Sequence, residues 1–492
     1  MIRNLKSLLE RAGFPPPPGA EAVNIDTLCY DSRRAAAGSL FFALPGEKAD
    51  GTQFALDAAD RGASAIVSAK PVLGCPVPVA VVPDARPAMA DIASAFFEEP
   101  AASLKCVGIT GTNGKTTTAF LVKHVLDAAH MRCGLIGTVR YVVGNETFPA
   151  ARTTPESADV QELLARMRDA GSRAVAMEVS SHALVQQRVR GIEWDAAVFT
   201  NLTQDHLDYH KTMDAYFDAK ASLFEGMFQQ KGKRGKSIIN LDDRYGTFLI
   251  ERLPKLAKPL SYGFGVRADF RAIDARSDIH GTQYKLEAKG RQYLVRTPHI
   301  GRFNVSNSLA ALATASALGL ELRAAVQAMA NAPQVPGRLE RVPARRNFAV
   351  YVDYAHTDDA LTNVLSTLRE LRPRRLLVVF GCGGDRDRAK RPLMARAAEQ
   401  LADYAIVTSD NPRTEDPEKI LADIRAGLRG TAHEIVADRK DAIYRAVELA
   451  QPGDIVLIAG KGHETYQEIN GKRFPFDDVS VARNAITAKP VE

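Results

Sequence analysis

The chain has 492 residues, 46% hydrophobic and 25% charged. At about 150 residues per domain this suggests roughly three globular domains and excludes disorder as the main state. Lys and Arg number 64 against 58 Asp and Glu, and the net charge of +6 suits an anionic small molecule as well as nucleic acid. Cys29, Cys75, Cys106, Cys133 and Cys382 are scattered without a CxxC pair. They read as reduced thiols, not as a disulfide framework or a zinc site. The first residues carry no apolar signal-peptide core, and no run of 18 apolar residues occurs. The expectation is therefore a soluble, cytoplasmic protein with no membrane insertion.

In chain order, a short helical pattern stopped by Pro15 to Pro18 opens the chain. Short β-like runs follow at 39–44, 64–69 and 78–84, then a helix over 86–97 and a boundary at Glu99-Pro100. Beyond it come strand 105–110, a glycine-rich turn, helix 115–129 and helix 159–170 closed by Gly171. Strands 173–179, 195–200 and 236–243 follow. Repeated βα units imply a mostly parallel, doubly wound sheet. Residues 262–298 alternate with no helix between them and read as an antiparallel insert. After a break within 332–340, strands 348–354, 374–381, 404–410, 434–438 and 454–460 alternate with helices 359–371, near 392–402, 417–428 and 440–450. The spacing predicts an α/β protein of three domains, 1–98, 99–332 and 333–492.

Between a strand and a helix lies Gly108-Ile-Thr-Gly111-Thr112-Asn113-Gly114-Lys115-Thr116-Thr117. The strict phosphate-loop pattern asks for glycine at 109, where this chain has Ile109. The physics survives the mismatch, because Gly111 and Gly114 let backbone amides turn towards phosphate at a helix N-terminus. Lys115 can reach the β- and γ-phosphates, and the Thr116 hydroxyl can ligate magnesium. Glu178 closes an apolar strand, as a metal ligand or a strand-end salt bridge. Asp205, His206, Asp208 and His210 crowd the next strand end, without deciding which of them ligates. Lys220 lies four after Tyr216 and four before Phe224, on an apolar stripe with Leu223 and Met227. It is a snorkelling lysine or a buried amine of depressed pKa.

Together with Met-Glu-Val-Ser-Ser-His (177–182), Phe-Asn-Val-Ser-Asn (303–307), Gly-Arg (337–338) and Asp-Tyr-Ala-His (353–356), these motifs resemble the Mur ligase family of cell-wall synthesis over nearly the whole chain. The resemblance implies an N-terminal domain for a uridine-diphosphate substrate, a central P-loop ATPase domain and a C-terminal Rossmann-like domain that receives an amino acid. It also implies a reaction. ATP, with Mg2+, phosphorylates the D-Glu γ-carboxylate of UDP-MurNAc-L-Ala-D-Glu, and an amine displaces phosphate from the acyl phosphate. Lys115 and Thr116 then hold phosphate and magnesium, Glu178 and His206 ligate metal, and His210 is left as the structural histidine. Lys220 matches the family's carbamylated lysine. Asn304 and Asn307 match adenine-side positions, while Arg338 and Asp353 reach ATP across the domain boundary. Tyr30, Ser32 and Glu47-Lys48-Ala49 match the uridine-diphosphate end; Thr153, Thr154, Ser180, Gln186 and Arg188 line the muramoyl-peptide. Where the family often has Asn before the Thr pair, this chain has Arg152.

Gly-Gly-Asp-Arg386, Asp410-Asn411-Pro412-Arg413 and Gly460-Lys-Gly-His-Glu464 each follow a strand of one domain and should converge. The first is no dinucleotide fingerprint, because the third glycine would fall at Arg386. Meso-diaminopimelate differs from lysine in a distal carboxylate beside the distal amine, so its pocket needs a bidentate cation and an ammonium acceptor. Arg413 and Arg386 supply the first, Glu464 the second; Asp-Asn-Pro-Arg is the family's diaminopimelate-type motif. The partners expected are small molecules, with the chain a monomer. A nucleotide-gated switch would lack this second pocket. A nucleic-acid binder is disfavoured too, since no basic stripe with interleaved aromatics occurs and Trp194 reads as core. With Arg338 near one boundary and Lys115 in the first βα turn, ATP is expected to draw the last domain inward.

Overall fold

Runs of β-branched and aliphatic residues buried on both faces, each followed by a helix, can pair only as parallel strands with crossover helices. The computed structural model, which describes residues 2–46, 50–344 and 346–489, builds three such sheets. The chain divides into two compact units, one of residues 1–271 and 307–325, the other of residues 272–306 and 326–492.

In the first unit, strands Thr27–Cys29, Ser39–Ala43, Ala65–Ser68 and Val79–Val81 form a small parallel sheet. The opening helix Leu5–Arg11 buries Leu5, Leu8 and Leu9. It ends before the proline run, with Gly13 at φ +83°. The larger sheet is centred on Lys105–Thr110, flanked by the parallel strands Ala174–Glu178 and Ala196–Phe199. Trp194 is core, stacked where a Cβ on Gly108 would lie 3.1 Å from its ring. Because the strands run the same way, Thr110, Glu178 and Phe199 end on one edge, where the chain turns into the loops that carry the phosphate motif, Ser180 and His206. The antiparallel expectation for 262–298 needs correction: Leu260–Gly263 pairs parallel with Lys236–Asn240, and Phe270 and Arg271 pair parallel with Tyr262 and Gly263. Beyond them Phe270–Asp278 turns within two residues into its sheet neighbour Gly281–Ala288, and Gly281–Ala288 and Arg291–Thr297 form the expected antiparallel hairpin. Alternation fixes which face a side chain takes, not the direction of the strand.

In the second unit, parallel strands Ala349–Asp353, Ile455–Ala459, Leu376–Phe380, Tyr404–Val407 and His433–Ile435 lie in that order, with Glu340–Val342 antiparallel at one edge. Behind the sheet, Arg439 and Asp478, both fully buried, begin the helices Arg439–Leu449 and Asp478–Ala488 and pair at 2.8 and 2.7 Å. Arg439 also donates to the carbonyl of Ala459 at 3.0 Å. Asp478→Ala strands a buried guanidinium, which is expected to cost about 3–5 kcal/mol. The check is the urea midpoint of this unit, and an unchanged midpoint would show the pair to be idle.

Candidate active site

The phosphate loop is held by its neighbours. Gly111, at φ +144°, passes so close to the next strand end that a Cβ there would sit 1.8 Å from the Thr200 hydroxyl. Gly114, at φ +84°, opens the helix Lys115–Ala128, and a Cβ there would meet the Asn307 side-chain oxygen at 2.5 Å. Thr200 donates to the carbonyl of Asn113 at 2.6 Å, while the Asn113 and Thr112 amides donate to Asn201. Thr112 contacts Thr203 O and the Tyr216 hydroxyl, both at 3.2 Å. Asn201 thus fixes the loop's entry, and the loop ends at a helix N-terminus, where an anion is favoured.

Two ammonium groups converge on this loop. Lys115 Nζ donates to the carbonyls of Gly111 and Thr112 at 2.8 and 2.7 Å. Lys220, fully buried in the helix Met213–Gln229, donates to the same Gly111 carbonyl at 2.8 Å and lies 4.6 Å from the Tyr216 ring centroid. Burial, and secondarily the Lys115 charge, drive the Lys220 pKa well below that of an ordinary lysine. Its spacing on the apolar stripe has the physical result that a snorkelling lysine would have avoided.

Thr116 donates to Glu178 Oε2 at 2.9 Å, and both are buried. The Thr138 amide donates to the other Glu178 oxygen at 2.8 Å and its hydroxyl to Oε2 at 3.1 Å. Hydroxyl and carboxylate oxygens are the donors a hard divalent cation takes. His206 packs edge-on against His182 and against Tyr216, with ring centroids 5.0 and 6.0 Å apart. Its side chain is 47% exposed, 3.5 Å from the Asp205 carboxylate, and its backbone has φ +53°. His210 is buried and bonded to the Ser181 hydroxyl at 2.9 Å, and burial holds its pKa at about 4. Among the described residues, no group of three or more His, Cys, Asp or Glu gathers as a metal cluster.

Further along the same edge, Thr154 donates to Glu178 O at 2.7 Å and accepts from the Ser180 amide at 3.1 Å, while Ser180 caps the following helix. Thr153 meets Thr138 at 3.0 Å. Arg188 donates to Gln186 at 2.6 Å and to Thr154 O at 3.0 Å. Sequence reasoning missed the hub of this cluster. Buried Glu156 takes Arg86, Arg152 and Arg188 at 3.2, 2.6 and 3.1 Å, three guanidiniums against one carboxylate. Only the Arg152–Glu156 pair, four apart, had a local signal. Tyr30 donates to Asp159 at 2.5 Å, and Ser32 is a hydrogen-bond partner of the Asp57 carboxylate. Glu47, Lys48 and Ala49 lie outside the described residues.

In the second unit the three strand-end motifs do converge. A Cβ on Gly384 would meet the carbonyl of Pro412 at 1.9 Å, and one on Gly383 would meet the Arg413 guanidinium at 2.9 Å. Asp385 pairs with Thr414, and buried Arg391 pairs with Glu415 at 2.9 Å. Arg413, at φ +53°, donates its amide to Glu468 O and its guanidinium to Gly384 O. Gly460, at φ +117°, leaves room for Asp410, whose carboxylate oxygen a Cβ would meet at 2.5 Å. Asn411 donates to Glu464 Oε2 at 2.8 Å. Arg386 is exposed. Asp353 accepts from the amides of Leu339 and Ala355 at 2.7 and 2.8 Å, and its burial raises its pKa. Arg338 lies 5.0 Å from the Tyr354 ring centroid. Asn304 and Asn307, one turn apart on the helix Arg302–Ala317, are both buried, and Asn304 donates to Ile300 O at 2.9 Å.

A glycine-rich loop that runs into a helix N-terminus on one parallel sheet, with Arg, Asn and Glu gathered at the strand ends of another, has the form of a nucleotide-dependent α/β protein. Comparison with known proteins narrows that class. Residues 109–315 match the Mur ligase middle domain, 337–462 the Mur ligase glutamate ligase domain, and 24–97 the Mur ligase family catalytic domain. The chain is 46% identical over 490 residues, 98% of each chain, to a UDP-N-acetylmuramoyl-L-alanyl-D-glutamate–2,6-diaminopimelate ligase of Solibacter usitatus. It is 47% identical over 467 residues, 94% of this chain and 95% of the relative, to the ligase of that name from Geobacillus kaustophilus. A solved structure of a ligase of that name superposes with TM-score 0.72 at 36% identity, covering 99% of both chains. The chain belongs to the Mur ligase family.

Proposed function

We propose that the chain is an ATP-dependent amide ligase of peptidoglycan precursor synthesis, joining meso-diaminopimelate to the D-Glu γ-carboxylate of UDP-MurNAc-L-Ala-D-Glu. The observation that carries this reading is the phosphate loop whose Gly111 carbonyl receives both Lys115 and Lys220. A carboxylate is a poor electrophile until one oxygen becomes a good leaving group. Its attack on the ATP γ-phosphorus releases ADP and gives an acyl phosphate; the amine then adds to the carbonyl carbon and phosphate leaves. Lys115 and the amides of 114–117, where the loop enters the helix, would hold the phosphates and offset the charge that moves during transfer.

Thr116 and Glu178, with His206 and a carbamylated Lys220, would hold magnesium, which keeps much of its shell as water and phosphate oxygen and so needs few protein ligands. Bound there, the ion would supply neutralisation of phosphate charge. A buried amine that holds its proton weakly can give it up and add to carbon dioxide, releasing a proton, and the resulting carbamate places a negative charge beside Lys115. Asn304, Asn307, Arg338 and Asp353 would complete the ATP site. Tyr30, Ser32, Glu47, Lys48, Ala49, Thr153, Thr154, Ser180, Gln186 and Arg188 would take the nucleotide peptide. The positive surplus around Glu156 suits that polyanion. Arg386, Asp410, Asn411, Pro412, Arg413, Gly460 and Glu464 would take diaminopimelate. Residues 1–98, 99–332 and 333–492 would be the three functional domains, of a monomer acting in the cytoplasm. No helix among the described residues is long and apolar enough to cross a membrane.

With oxygen-18 in the D-Glu γ-carboxylate, each turnover should deliver one labelled oxygen to inorganic phosphate. Release of AMP, or phosphate free of label, would contradict the acyl-phosphate route.

A further inference from the structure

Lys461 is a fully buried cation of the second unit that none of the roles above uses. It sits between Gly460 and Gly462, and its carbonyl accepts the Glu464 amide at 3.0 Å, closing the turn that presents Glu464. Gly462, at φ +53°, has no room for a side chain, because a Cβ would lie 2.7 Å from that of Tyr354. The turn therefore fixes where the Lys461 side chain goes. Its Nζ donates to Asn411 Oδ1 at 2.8 Å and to Glu464 Oε2 at 3.1 Å, with the Tyr466 ring centroid 5.5 Å away. Asn411 is locked in turn: its Oδ1 also takes the Glu468 amide at 3.0 Å, and its Nδ2 donates to the same Glu464 Oε2.

An ammonium removed from water is tolerated only when paired and hydrogen-bonded, and here both hydrogen-bond acceptors belong to the amino-acid pocket. Asn411 and Lys461 both bond Glu464 through Oε2, which leaves Oε1 as an acceptor for a ligand cation. A pocket for a substrate whose far end carries both an amine and a carboxylate must hold its own anion and cation apart. Arg413 is tied to the Gly384 carbonyl; Glu464 is tied to Lys461.

We propose that Lys461 is a positioning and specificity-determining residue: by pinning Oε2 of Glu464 and orienting Asn411, it keeps Oε1 aimed at the distal ammonium of the incoming amino acid. This rests on the reading of the pocket given above. Lys461 touches no reacting atom, so its loss should appear in KM for the amino acid and not in kcat.

The test uses the full-length enzyme, with ADP release as readout. Lys461→Met is expected to raise KM for meso-diaminopimelate by about 10- to 100-fold, the scale for disturbing one charged contact. Values of kcat and of KM for ATP should stay within about threefold. L-2-Aminopimelate, which keeps the reacting amine and the distal carboxylate but lacks the distal amine, should turn over with the same KM in wild type and variant. On a Glu464→Gln background the Lys461→Met change should add little, because the two act as a unit. Lys461→Gln, which can still donate to Asn411, serves the same comparison if the methionine variant does not fold. An unchanged KM, an equal loss for aminopimelate, additive losses in the double variant, or failure of both variants to fold would each overturn the proposal. Absence of diaminopimelate turnover in the wild-type enzyme would instead remove the reading beneath it.

Discussion

Lys220→Met is expected to lower kcat by about 10²- to 10³-fold, the scale of losing one charged group aligned with a reacting phosphoryl. Methionine fills a similar volume on the apolar stripe that includes Tyr216, Leu223, Phe224 and Met227, so packing is kept. Removing a buried amine also removes its desolvation penalty, so the thermal midpoint should hold or rise. KM for the amino acid should scarcely move, since Lys220 donates to the phosphate loop. If the carbamate is the working form, a small carboxylic acid added to a Lys220→Ala enzyme should restore part of the rate, as its carboxylate can occupy the space vacated. An active Lys220→Met enzyme would refute both the carbamate and the role.

Arg413→Ala should act on the other half of the reaction. The distal carboxylate of diaminopimelate would lose its bidentate partner, a loss of about 2–4 kcal/mol, or about 30- to 1,000-fold in apparent affinity. The backbone matters as well as the charge. Arg413 is held at φ +53° by amide bonds to Glu468 O and from Asn470, so Arg413→Lys keeps the charge but not the planar fork and should recover only part of the loss. L-Lysine, which has no distal carboxylate, should bind wild type and Arg413→Ala equally poorly. Unchanged use of diaminopimelate by Arg413→Ala would show that the carboxylate is bound elsewhere.

Much of this geometry was legible in the chain because parallel sheets carry a rule: loops after strand carboxyl ends meet at one edge. Gly383, Arg413 and Glu464 lie far apart in sequence, yet the approach of Gly383 to Arg413 and the bond from Asn411 to Glu464 follow from that rule alone. The four-residue spacing of Lys220 to Tyr216 and Phe224 put it on the apolar stripe but left snorkelling and burial both open; only the fold buries it. The direction of 260–271 was not legible, since alternation assigns faces only. Nor was the ring of Arg86, Arg152 and Arg188 around Glu156, because arginines from three separate segments look like solvated charges until folding brings them to one carboxylate. Lys461 hid for a related reason: a lysine between two glycines reads as an exposed turn, and only Asn411 and Glu464 arriving from either side bury it.

The central claim is met most directly by measuring ADP release from ATP, magnesium and UDP-MurNAc-L-Ala-D-Glu with meso-diaminopimelate, L-lysine or no amine. The account predicts turnover with diaminopimelate and little with lysine. Turnover with lysine alone would keep the ligase and overturn the Arg413 pocket. Turnover with neither would contradict the ligase assignment itself.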